Sequence, residues 1–124
     1  MRILLAVVLL VLASPAAASA APRITVDPRV VDADQEQTVT GRGWPVIEFC
    51  SRSVRFRLVS DQNLVTLGRV RVRDSGRFTF RWTPDDEGVG APSSWTLVAR
   101  MMCESGDDGS PNRVRVTKRV RIRA

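Results

Sequence analysis

Residues 113–123 alternate basic and apolar side chains: Arg-Val-Arg-Val-Thr-Lys-Arg-Val-Arg-Ile-Arg. A period of two belongs to a β-strand, whose successive side chains point to opposite faces. Val114, Val116, Val120 and Ile122 therefore share one face, and Arg113, Arg115, Arg119, Arg121 and Arg123 share the other. One short run thus predicts an element, a buried face and a positively charged surface.

The same alternation recurs upstream, interrupted by clusters of Gly, Pro, Asp, Ser and Asn. Arg23–Asp27 predicts a first strand with Ile24 and Val26 inward, closed by Pro28, which donates no ladder hydrogen bond. Glu36–Gly41 predicts a polar second strand, followed by the turn-rich Gly41-Arg42-Gly43-Trp44-Pro45. Ser53–Val59 is the third, with Val54, Phe56 and Leu58 inward and Arg55 and Arg57 outward. After a turn at Ser60–Asn63, Leu64–Arg73 alternates again, but its phase slips at Leu67-Gly68, where a glycine suggests a β-bulge. Asp74-Ser75-Gly76 turns the chain into Arg77–Trp82, with Phe78, Phe80 and Trp82 inward. Pro84–Ser93 is a loop. Ser94–Cys103 is a strand with Trp95, Leu97, Ala99 and Met101 inward. Glu104–Asn112 is a second loop before the Arg-Val strand. About seven short strands at this spacing predict an all-β, immunoglobulin-like β-sandwich.

The first twenty residues stand apart. Arg2, the apolar run Ile3–Ala13 and the small residues Ala18-Ser19-Ala20 have the form of a cleavable signal peptide, with cutting expected before Ala21. The apolar run is shorter than the roughly 20 residues a membrane span needs, so no span is expected. Residues 21–124 then form one exported domain, extracellular or periplasmic. In an oxidising compartment Cys50 and Cys103 are expected to form a disulfide, not a metal pair. Both are in phase with inward residues. In an immunoglobulin-like layout, Cys50 before the third strand and Cys103 at the end of the sixth fall at the same end of the sandwich.

Several segments carry a family resemblance. Ile24-Thr25-Val26-Asp27-Pro28, Thr38-Val39-Thr40-Gly41-Arg42-Gly43-Trp44-Pro45, Leu67-Gly68-Arg69-Val70, Asp74-Ser75-Gly76-Arg77-Phe78, Trp82-Thr83-Pro84 and Trp95-Thr96-Leu97-Val98-Ala99 resemble bacterial immunoglobulin-like modules of secreted and surface proteins. The chain is more loosely similar to the neocarzinostatin-like apoproteins, small exported sandwiches that hold a chromophore. Those usually carry two disulfides, and this chain has cysteines for one. It also lacks the tyrosine corner of antibody-type domains, having no tyrosine at all.

Charge adds a functional candidate. The net charge is +6, and Lys118 is the only lysine. If the third, sixth and seventh strands share a sheet, its outer face gathers Arg55, Arg57, Arg100, Arg113, Arg115, Arg119 and Arg121. Such a face would attract an anionic cell-surface polymer or an acidic protein. Export makes intracellular nucleic acid an unsuitable partner. A GC-rich coding bias also produces many arginines, and outward arginines on the fourth and fifth strands (Arg69, Arg71, Arg77, Arg81) would wrap the charge around the domain.

Catalysis is not expected. With no histidine, Ser-His-Asp and Cys-His arrangements and His-ligated metal sites are excluded. Glu48 and Glu104 flank the cysteines and are the one carboxylate pair worth following. No cofactor and no metal are expected: Asp85-Asp86-Glu87 and Asp107-Asp108-Gly109 read as turn chemistry and not as calcium loops. A noncatalytic, monomeric binding or structural module is the first expectation. The alternative is a small-ligand carrier using the disulfide-linked loop end near Trp44, Glu48 and Glu104; Trp44, Trp82 and Trp95 read as core or loop-packing residues, and only an exposed Trp44 would serve as a recognition anchor.

Overall fold

The alternation at Ser53–Val59 does what its sequence predicts: Val54, Phe56 and Leu58 are fully buried, Arg55 is exposed and Arg57 is half-buried. The computed structural model describes residues 21–104 and 111–124. The proposed signal peptide and the loop acids Asp107 and Asp108 lie outside the described residues. Eight strands are present among those described: β1 (Arg23–Asp27), β2 (Val30–Asp32), β3 (Gln37–Arg42), β4 (Ser53–Val59), β5 (Leu64–Arg71), β6 (Phe78–Trp82), β7 (Ser93–Glu104) and β8 (Pro111–Arg123). They form a three-stranded sheet, β1-β3-β6, and a five-stranded sheet, β2-β8-β7-β4-β5. This is an all-β, two-sheet arrangement compatible with a β-sandwich.

The strand missing from a count of seven is β2. It has three residues and pairs in parallel with β8, Val31 opposite Ile122. The chain leaves the narrow sheet at Pro28 and joins the wide one at Val30, so its first extended segment serves both. A three-residue strand whose partner lies some ninety residues away leaves little local signal. The predicted loop Glu104–Asn112 is also shorter than expected, because the β7–β8 ladder runs on to Glu104 opposite Pro111.

The phase slip is a bulge. Phe56 faces Gly68 and Arg57 faces Thr66, which leaves Leu67 unpaired. Gly68 has φ 145°, a conformation that favours glycine. The extra residue lets Val65 and Val70, of opposite parity, both pack against the core. The Ser60–Asn63 turn closes with two backbone hydrogen bonds, Ser60 N–H to Asn63 O and Asn63 N–H to Ser60 O. A turn this tight makes β5 the antiparallel neighbour of β4, in the same sheet.

The core joins the sheets through aromatic rings. Phe56 of β4 stacks on Phe80 at 4.3 Å between centroids and meets Phe78 edge-on at 5.4 Å. Phe78 lies across Gly41, where an added Cβ would stand 2.1 Å from the ring. Each such pair contributes about 0.5–1.5 kcal/mol beyond area burial. The polar reading of β3 misses its first residue. Gln37 is fully buried, donates from Nε2 to Pro28 O at 2.8 Å and accepts from Trp82 Nε1–H at 2.8 Å. One side chain satisfies two groups that would otherwise be buried without partners.

Candidate functional site: an arginine face

The register of the wide sheet decides where its arginines meet. Arg69 faces Arg55, Arg55 faces Arg100, and Arg100 faces Arg115. Four consecutive strands thus place an arginine at one level, a row spanning three strand spacings or roughly 14 Å. The same outer face holds Arg57, Arg71, Arg113, Arg119 and Arg121. All seven arginines expected there share it. Arg69 and Arg71 join them, because β5 belongs to this sheet and not to the opposite one. The face is therefore more concentrated than a wrapped charge would be.

Acidic residues are kept to its margins. β4, β5 and β8 contain none, and β7 has only Glu104 at its last position. On β2, Asp32 accepts a hydrogen bond from Arg123 Nε, which raises the Arg123 pKa. The other ion pairs among the described residues are Arg52–Asp74 at 2.7 Å and Arg81–Glu36 at 3.6 Å. Among the described residues, none of the arginines from Arg55 to Arg115 in the row is in an ion pair. Their mutual repulsion is registered at the centre. The Arg100 guanidinium pKa is held below its ordinary value by burial first, then by Arg57, Arg113, Arg55 and Arg115.

Val98 shows how the face is built. It lies between Arg57 and Thr117 in the register, on the outer side, yet it is fully buried. Long arginine stems shelter apolar surface while the charged heads reach water. Arg57 lies low enough that its Nε is buried without an acceptor among the described residues. Strict alternation would have left Val98 exposed, so its burial was not legible from phase alone. Lys118 is the converse. It stands in the inward row between Val116 and Val120, opposite Leu97, and is half-buried.

At the disulfide end Trp44 packs inward, as a core or loop-packing tryptophan would, and is not the exposed anchor the carrier alternative needs. Cys50 and Cys103 are bonded at 2.03 Å, as an isolated β-bridge extends the sheet between them. In the chain-entropy model, closing a loop of this length stabilises the domain by roughly 4 kcal/mol. Trp44 is buried, its Nε1–H donating to Arg23 O at 3.3 Å and its ring tilted against Phe78. It holds the end of the sandwich and does not face solvent. Glu48 and Glu104 are both exposed. The exposed large apolar residues described at this end are instead Ile47, Phe49 and Met102, which composition alone did not single out.

Asp85–Glu87 form a single 3-10 turn closed by Gly88. Among the described residues no group of three or more metal-ligating side chains occurs, and no helix is long and apolar enough to cross a membrane.

A second feature lies at the opposite end from the disulfide. A hollow of about 850 Å³ is lined by the Ser60–Asn63 turn and by residues of β7 and β8 that include Trp95 and Arg119. A smaller one beside it is lined by Arg29, Val30 and Arg121 among others. Ser94 and Arg119 line both.

No protein-family model matches the chain, and no curated protein matches it.

Proposed function

We propose that this chain is an exported, noncatalytic immunoglobulin-like module that binds an anionic cell-surface polymer across the outer face of its five-stranded sheet. The observation that carries this reading is the four-strand arginine row on a face whose strands hold no acid between its margins. Like charges directly across strands are unfavourable, and a bound polyanion offsets that cost. The immunoglobulin-like reading is supported by the strand order and by a first segment divided between the sheets. Export is supported by the Cys50–Cys103 disulfide, which persists in an oxidising compartment, and by the leader-like residues 1–20.

The test is salt-dependent binding of the mature domain to dextran sulfate. Replacing Arg55, Arg57, Arg113 and Arg115 together by serine should weaken binding by on the order of 100-fold or more at low salt. It should also lower the slope of log K against log salt by about 3. Binding unchanged by both salt and substitution would sink the proposal. The carrier alternative loses its aromatic anchor, because Trp44 is buried.

A further inference from the structure

We infer that the trough at the Ser60–Asn63 end is a subsite for the carboxylate-bearing sugars of an acidic glycan. The inference rests on the polyanion reading of the wide sheet and narrows it to one class of polymer. Arg119 belongs both to the arginine face and to the trough, so a chain seated in the trough continues onto the arginine row. Four residues along β8 separate Arg119 from Arg115, roughly 13 Å at strand rise.

The lining has the chemistry of a sugar carboxylate and its hydroxyls. Arg119 presents a planar guanidinium suited to bidentate pairing with a carboxylate. Asp61 accepts hydrogen bonds from hydroxyls, while Gln62 and Asn63 both donate and accept. Trp95 is half-buried where β7 begins, and its Nε1–H is already given to Ser93 Oγ at 2.9 Å. With that donor engaged, Trp95 packs against the core and brings no free polar group to the hollow. Polyphosphate fits less well, because it brings no hydroxyl donors for Asp61, Gln62 and Asn63.

The test titrates the mature protein with four probes: a galacturonate tetrasaccharide, its fully methyl-esterified form, free galacturonate and dextran sulfate. Trp44 and Trp82 are buried, so a change in tryptophan emission reports on Trp95. The acid tetrasaccharide should bind at least 10-fold more tightly than the ester and shift the emission. Free galacturonate binding nearly as well as the tetramer would mean a small-molecule site and would overturn the polymer assignment. Gln62→Ala with Asn63→Ala should weaken tetrasaccharide binding by about 5–10-fold and leave dextran sulfate binding unchanged. These substitutions spare the turn, whose closing bonds use backbone atoms only. The ester probe needs no variant, so the outcome does not depend on any variant folding. If the tetrasaccharide ignores the turn substitutions and responds only to loss of Arg55, Arg57, Arg113 and Arg115, the trough assignment falls and the polyanion face stands. If it needs the trough while dextran sulfate binding ignores the face, the face reading falls and the trough stands alone. No binding by any probe overturns both.

Discussion

The outer faces of the two sheets are made from similar residues and differ in how charge is arranged. The narrow face has a threonine row, Thr25 opposite Thr40 and Thr40 opposite Thr79, with Arg23 and Arg42 at one edge. Its Arg81 is paired with Glu36, and Asp27 stands opposite Thr38 in the same row as Arg81. The wide face stacks arginine on arginine through four strands and leaves the acids at its rim. A coding bias toward arginine acts on both faces alike. It accounts for the abundance of the residue but not for its segregation, which makes the wide face the one with a binding reading.

Several measurements bear on that contrast. The largest effect should come from charge removal: Arg55→Ser, Arg100→Ser and Arg115→Ser together should cost dextran sulfate binding on the order of 100-fold at low salt. The matching set on the narrow face, Arg23→Ser, Arg42→Ser and Arg81→Ser, should cost less than about 3-fold, since Arg23 faces only Arg42, Arg81 is paired with Glu36, and so few free cations release fewer counterions. Equal losses from the two sets would erase the distinction.

Next in size is a change beneath the narrow face. Gln37→Ala strands the Trp82 indole N–H and the Pro28 carbonyl and should destabilise the domain by about 2–4 kcal/mol in urea unfolding. Polyanion affinity of the folded variant should stay as it was, because the wide sheet is held by its own ladders. Arg100→Thr should move stability the other way. Relieving repulsion at the centre of the row should raise stability by about 0.5–1 kcal/mol, and the gain should shrink as salt rises. A variant no more stable than the parent at low salt would show that the arginines do not oppose one another.

The smallest effect concerns Asp74, at the margin. Its pKa is lowered by the hydrogen bond from Arg52 and by that residue's charge. A depressed carboxylate stabilises the fold above its unfolded pKa, and the contribution is lost as pH falls through the lowered value. Asp74→Asn should therefore slightly flatten the acid limb of the stability profile, and dextran sulfate binding should not follow it.

Much of this was legible along the chain. The bounds of β1 and β4, the inward residues Ile24, Val26, Val54, Phe56 and Leu58, and the bulge beside Gly68 all follow from a period of two and its interruption. The cysteine pairing followed from their shared inward phase and from an antiparallel β4–β7 pair. Other features carry no local mark. β2 exists only because β8 offers it an edge, and Gln37 is a core residue only because Pro28 and Trp82 converge on it. Trp44 was expected to pack, but its partners in the turn-rich stretch, Phe78 and the Arg23 carbonyl, are set only by the fold.

Alternation alone told which side chains of a strand lie together, because side-chain direction is a local property of extended backbone. It separated arginines from valines on β8 before any partner was known. Whether the arginines of different strands meet depends on sheet membership and register, which are properties of pairing over long distances. The tight Ser60–Asn63 turn put β5 beside β4, and the β4–β7–β8 ladders brought Arg55, Arg100 and Arg115 to one level. A slip of one residue on any of these strands would turn its arginine to the core side. The charged strand was written in the chain; the charged face was made by its packing.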